Sequence, residues 1–227
     1  MVAAVPTRPR LKAAVVRPDR REQIIAAAAT VLAREGYERA SMKQIADEVG
    51  VASGLLHYYF ENKEELLAEV VARMHDEIDA DWRKAIEGVD DPFDRISVAI
   101  SRVAARFDER PEFWRLLIDM YAVGFRNPVI GQRLRRMCED MITHVVEESE
   151  RISGVLPTPS LLPAADVAVA TLGALDGIAV LSLVRGTGAA GAFRALKAFV
   201  LAYAGMAYVA AGKEPPLDRM AAYLAGR

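Results

Sequence analysis

The sequence predicts an all-α protein in two parts: a three-helix module over residues 18–64 and a larger helical domain over 65–212. Three observations carry this. Apolar residues recur at spacings of three and four along nearly the whole chain after residue 19. Most such stretches open on a helix-start signature, either Asp, Asn or Ser with an acid or Gln three residues on, or a proline in the first turn. No stretch alternates apolar and polar residues with the period of a strand, and no internal repeat is visible.

At 227 residues and 52% hydrophobic composition the chain has material for a real core, and 15 Gly with 11 Pro are too few for a disordered protein. The net charge of −2 is unevenly spread: residues 1–63 carry ten Lys/Arg against seven Asp/Glu, a net +3, which leaves −5 for the remainder. A basic small module on an acidic larger one suits nucleic-acid binding by the first. Cys138 is the single cysteine, so no disulfide forms within the chain, as suits a reducing cytoplasm. The first residues lack the apolar core of a signal peptide. No apolar run of about 20 residues is free of charge; the nearest, 167–184, contains Asp176. A soluble, cytoplasmic protein with no membrane partner is expected.

Residues 1–17, with Pro6, Pro9, Arg8, Arg10, Lys12 and Arg17, read as a flexible basic arm. The first helix follows Pro18. Asp19 caps it with Glu22 as the other half of a capping box, Ile24, Ile25, Ala28, Val31 and Leu32 form one face, and Gly36 stops it. Ser41 and Gln44 make a second capping box, Met42, Ile45, Ala46 and Val49 keep helical spacing, and Gly50 ends that helix in the manner of a positive-φ residue. Val51 packs the turn. The third helix runs over about 52–59, with Leu55, Leu56 and Tyr59 available for packing, although Ala52 offers it no capping side chain.

Helix, short glycine turn and helix over 41–60 form a helix-turn-helix. DNA-binding versions lay the second helix in the major groove; similar helix pairs also occur in proteins that never touch DNA. At the start and on the outer face of that helix, Ser53 suits a base edge or phosphate, Gly54 allows close backbone approach, and His57 and Tyr58 suit phosphates and sugars. Tyr59 reads as core and Tyr58 as exposed, against the alternative that both are core. Beside such a module the basic arm either enters a minor groove or is an unstructured terminus.

The fourth helix, about 63–87, opens on Asn62 with Glu65 and lines one face with Leu66, Leu67, Val70, Val71, Met74, Ile78 and Trp82. It is long enough to span both parts, as a lever or as a plain core helix. Asp91-Pro92 opens a helix to about 108, Pro111 opens FWRLLIDMYAVGF, and Asn127-Pro128 opens a helix to about 153. A loop over 154–163 precedes two helices, to Gly186 and over about 189–211, and 213–227 reads as a tail with one turn of helix. The last two long helices are apolar nearly all round and carry small residues: Ala170, Gly173, Ala174, Gly177, Ala202 and Gly205. Such helices need burial on all sides, which a homodimer supplies by pairing them with a second copy.

The pattern of an alanine-rich helix ending in Gly36-Tyr37, then SMKQIADEVGV, GLLHYYF and NKEELL, over about residues 20–70, resembles the TetR/AcrR family of one-component bacterial transcriptional regulators. The resemblance implies DNA contacts from Met42, Lys43, Ser53, Gly54, Leu55, His57, Tyr58 and Lys63, with Lys63 and the first-turn amides of its helix clamping a phosphate. Ala52 replaces a common capping Ser and His57 a common Tyr; Lys43, Ser53 and His57 are then the side chains able to read polar base edges. The resemblance also implies dimerisation through the last two long helices, a palindromic operator in double-stranded DNA, and an effector pocket among helices four to eight. Candidate pocket residues are Met74, Ile78, Trp82, Phe107, Trp114, Leu117, Tyr121, Met137 and Met141, each with a plain core role as its alternative. Few charges interrupt these faces, so the expected effector is a small apolar or weakly polar molecule. Asp176 either pairs with a cationic ligand or is hydrogen-bonded between helices. Ligand release of a repressor is the implied mechanism, although activators occur in the family.

Other classes fit less well. Ser53 and His57 stand one helical turn apart with no nucleophile elbow, and no carboxylate pair stands out, so no enzyme is expected. The histidines His57, His75 and His144 do not cluster with Cys138 at ligand spacing, so neither a metal nor a cofactor is expected. Cys138 as a redox switch, and a ligand-blind regulator whose larger domain serves only dimerisation or protein contacts, stay open at this point.

Overall fold

Ten helices and no strand make up the described residues, 19–158 and 160–225 of a computed structural model. The arm expected over 1–17 lies outside them. In chain order the helices are α1 (Arg20–Glu35), α2 (Met42–Val49), α3 (Ser53–Tyr59), α4 (Lys63–Ile86), α5 (Pro92–Glu109), α6 (Pro111–Gly124), α7 (Pro128–Val155), α8 (Ala164–Arg185), α9 (Ala190–Ala210) and α10 (Leu217–Ala225).

The Ser41 box closes in both directions: its hydroxyl accepts the Gln44 N–H at 3.3 Å and Gln44 Oε1 accepts the Ser41 N–H at 2.9 Å. Gly50 follows at φ 73°, left-handed as the turn requires. Two other expected boxes differ. Among the described residues Asp19 makes no side-chain cap bond, and Glu22 turns instead to Arg73 of α4 at 3.6 Å. Asn62 caps Glu65 at 2.9 Å, but the Glu65 carboxylate reaches back one residue further, to the Glu61 N–H at 2.7 Å. Asp91 and Asn127 each accept two amides of the helix they open.

One apolar core runs unbroken from the small module into the larger domain. Ile24, Ala28, Ile45, Leu56 and Leu66 continue through Val70 and Met74 to Met120, Met137 and Phe193. Glu69 of α4 ties the two parts together, one oxygen on Arg21 of α1 at 2.8 Å and the other on Arg133 of α7 at 2.9 Å. The core therefore has no seam at residues 64–65.

The tail is not a tail with one turn. Residues 217–225 form α10, whose Met220 and Tyr223 share a face and pack on Phe93, Ile152, Leu201 and Ala204. Arg219 pairs with Asp91, and the Tyr223 hydroxyl donates to Asp94. This docking corrects one expectation about the dimer seam: Gly205 is buried by its own chain, and a Cβ there would meet Met220 Cε at 3.2 Å.

Candidate nucleic-acid interface and internal cavity

Leu56 and Phe60 are fully buried and anchor α3 in the core it shares with α1 and α2. Their anchoring fixes what α3 leaves outside. Ser53, Gly54, His57 and Tyr58 are exposed, Tyr58 at 80%, and Lys43 of α2 is exposed as well. Ser53 and His57 stand four residues apart, on one face. Tyr59 is half-buried and packs edge-on to Tyr58, ring centroids 5.2 Å apart. Among the described residues nothing lies within 4 Å of a Cβ built on Gly54, so a flat surface can approach its backbone.

Three of the expected contacts are placed differently. Met42 is half-buried and packs on the module's core, and Leu55 is half-buried too. The Lys63 ammonium donates to the Tyr37 carbonyl and lies 4.2 Å from the Tyr37 ring centroid. Desolvation there lowers its pKa. The lysine faces Tyr37 rather than projecting from the start of α4.

A cavity of about 150 Å³ opens between α4, α5, α7, α8 and α9. Of the pocket candidates, Ile78, Trp82 and Met141 line it. Phe107 and Met137 are filled core instead, Phe107 lying 6.1 Å from both the Trp114 and Phe193 rings, and Met74, buried as well, lines another cleft between α1, α4 and α6. Trp114, Leu117 and Tyr121 line a separate, more open cleft between α6 and α8 that also contains Asp176. There Asp176 is hydrogen-bonded with Tyr121, across two helices as one sequence reading held, and burial raises its pKa. Burial also raises the pKa of the Cys138 thiol, which disfavours the reactive thiolate.

The sequence reading missed the polar part of the cavity wall. His75, Asp79 and Trp82 follow one face of α4, and Met141, His144 and Glu148 one face of α7. That regular spacing was a usable signal, but charged residues at such spacing ordinarily mark a solvent face. Most of these charges are paired. Glu148 takes Arg95 at 2.6 Å, and Asp81 takes Arg102 at 3.2 Å and also pairs with Arg106. Asp79 Oδ2 takes Arg83 at 2.7 Å. Its other oxygen, Oδ1, is buried and accepts no hydrogen bond among the described residues; His144 Nε2 stands 3.6 Å away.

On α8 and α9 an apolar face is left uncovered. Val169, Leu181 and Val184 of α8 and Phe199, Met206 and Val209 of α9 are exposed, as are Ala170, Gly173 and Ala202. Ala174 and Gly177 are half-buried. By length and hydropathy both helices meet the criteria for a membrane span, and their own chain buries only part of each.

The family model described as bacterial regulatory proteins, tetR family, matches residues 24–70. The chain is similar to the HTH-type transcriptional activator FasR of Mycolicibacterium smegmatis, 30% identical over 139 residues, 61% of this chain and 63% of that protein. It is similar to the HTH-type transcriptional repressor KstR of Mycobacterium tuberculosis, 32% identical over 94 residues, 41% of this chain and 42% of that one. The matches thus span less than two thirds of these relatives. The fold is shared with a transcriptional regulator from Saccharomonospora viridis solved in complex with choline, TM-score 0.71 at 19% identity, covering 79% of this chain and 94% of that one.

Proposed function

We propose that the chain, whose residues 24–70 match the family model of bacterial regulatory proteins, tetR family, is a cytoplasmic, non-catalytic, DNA-binding transcriptional regulator of that family, a repressor released by a small apolar or weakly polar ligand. Two copies pair through the apolar faces of α8 and α9 and present two α3 helices about one turn of DNA (~34 Å), or a multiple of it, apart on a palindromic operator. Lys43, Ser53, Gly54, His57 and Tyr58 make the contacts, and the cavity takes the ligand.

The observation that carries this reading is α4. One helix of 24 residues follows α3 after a three-residue link and goes on to form a wall of the cavity through His75, Ile78, Asp79 and Trp82. A straight helix of that length spans about 36 Å. A ligand that binds more tightly to one disposition of α4 than to another shifts the population of reading-head spacings, and only that difference in affinity does so.

Selection of the full-length protein against random DNA duplexes tests the reading. The expected result is enrichment of an inverted repeat, with binding weakened in Lys43→Ala and Tyr58→Ala. Failure to enrich any sequence, by protein shown to be folded and dimeric, would overturn it.

A further inference from the structure

We propose that the cavity takes an uncharged, largely apolar molecule carrying one hydroxyl group, held between the Asp79 carboxylate of α4 and the His144 imidazole of α7. This rests on the reading of the cavity as the effector site and names the chemistry of what it accepts.

The body of the ligand follows from the wall. Ile78, Ile100, Val103, Leu172 and Val200 present hydrocarbon to the cavity. Its volume, about 150 Å³, is that of a space which holds a benzene-sized ring. Trp82 and His144 add two nearly parallel flat surfaces, 8° apart in plane with centroids 6.3 Å apart.

The charge of the ligand follows from what the wall has already paired. Arg106 is engaged by both Glu77 and Asp81, Arg102 by Asp81 and Glu109, and Glu148 by Arg95. An anion would have to compete with these carboxylates for the arginines, of which Arg106 keeps one buried nitrogen, Nε, without a partner among the described residues. A cation would find Asp79, whose Oδ2 already holds Arg83 at 2.7 Å.

The hydroxyl follows from the remaining atoms. Asp79 Oδ1 is buried and accepts nothing among the described residues, and His144 Nε2, at 3.6 Å, is beyond hydrogen-bonding reach of it. Two atoms so spaced can both lie about 2.8 Å from a single oxygen. A hydroxyl there donates to Asp79 Oδ1 and accepts from the Nε2–H of the His144 imidazole, so one group completes both. A ketone lacks the donor and an ammonium lacks the acceptor. The bridge joins α4 to α7 within the helix that runs on to the foot of α3.

The test uses four probes of one size: p-cresol, toluene, benzoate and benzylamine. Each is titrated by calorimetry, at neutral pH and without DNA, into the full-length protein, Asp79→Leu and His144→Phe, with circular dichroism confirming the fold of each variant. The expected result is p-cresol binding at least tenfold tighter than the other three, with its preference over toluene lost in both variants. Equal binding of toluene, tighter binding of either ion, a preference that survives both variants, or no binding of p-cresol overturns the inference. A gel shift on the selected operator separates this from the reading beneath it. If p-cresol binds as expected but saturating p-cresol leaves operator binding unchanged, the sensor reading fails and the ligand chemistry stands. If p-cresol does not bind and another cavity-binding compound releases the operator, the reverse holds.

Discussion

Arg95 of α5 and Glu148 of α7 meet at two points, Nε to Oε2 at 2.8 Å and Nη2 to Oε1 at 2.6 Å. The same guanidinium donates to the Ile86 and Val89 carbonyls at 3.3 and 3.0 Å, so it closes the C-terminal end of α4 while anchoring α7. The Glu148 side chain is 5% exposed and that of Arg95 17%. Glu148→Ala would strand the arginine, and the expected loss is about 3 kcal/mol, the low end for a broken buried pair because the arginine keeps some access to water. Urea unfolding measures it, and Glu148→Gln, which keeps the shape and an acceptor, is expected to lose less.

Two glycines of the reading head are expected to respond in opposite directions. Gly50 sits at φ 73° with open space around a Cβ, so Gly50→Ala meets only backbone strain and costs about 1 kcal/mol. Gly54 lies inside α3, also with open space, so Gly54→Ala raises stability by about 0.5–1 kcal/mol. If DNA approaches that backbone closely, the more stable Gly54→Ala protein binds operator more weakly. Thermal unfolding and operator titration of the same samples check both halves.

The uncovered apolar faces of α8 and α9 make the oligomer testable. Leu181 and Phe199 are 62% and 71% exposed, so most of each side chain lies outside the core of the single chain. Leu181→Glu and Phe199→Glu place a charge where the partner would pack. Each is expected to sediment as a folded monomer in the analytical ultracentrifuge, with the unaltered chain a dimer; a dimer in both variants would place the pairing surface elsewhere.

Asp176 supplies a pH dependence. Burial raises its pKa above the ordinary carboxylate value, so the folded state holds its proton more tightly than the unfolded chain does. The folded state then loses stability as pH rises from the ordinary carboxylate range through the raised value. Asp176→Asn keeps an acceptor for Tyr121 without the charge. It is expected to unfold at a higher temperature than the unaltered protein at pH 7, with the difference shrinking as pH falls into the ordinary carboxylate range. A difference independent of pH would contradict this.

The helices were legible because their ends are chemically marked. Ser41 with Gln44, Gly50, Asp91-Pro92 and Asn127-Pro128 each satisfy or terminate backbone groups in a way only a few residues can. Interior placement was less legible. Met74, Ile78 and Met137 share the same apolar spacing, yet of the three Ile78 lines the cavity, Met74 a cleft beside α1 and α6, and Met137 filled core; periodicity names a buried stripe, and the neighbouring helices decide where the stripe is filled. Asp79 and His144 do not read as cavity wall for the converse reason, since polar residues at helical spacing ordinarily face water. Lys63 reads as a projecting cation until Tyr37, 26 residues earlier, is seen to hold it. The docking of α10 depends on Asp91, Asp94 and Gly205, all distant in the chain.

The most direct test of a ligand-released DNA regulator is a fluorescence titration of the full-length dimer on its selected inverted repeat at several salt concentrations, with and without a cavity-binding compound. The account predicts tight binding that falls steeply as salt rises, as phosphate contacts require, and a further loss of affinity when the cavity is filled. Binding that is tight but unchanged by any occupant of the cavity would contradict the sensor; binding no tighter than to unrelated DNA would contradict the regulator itself.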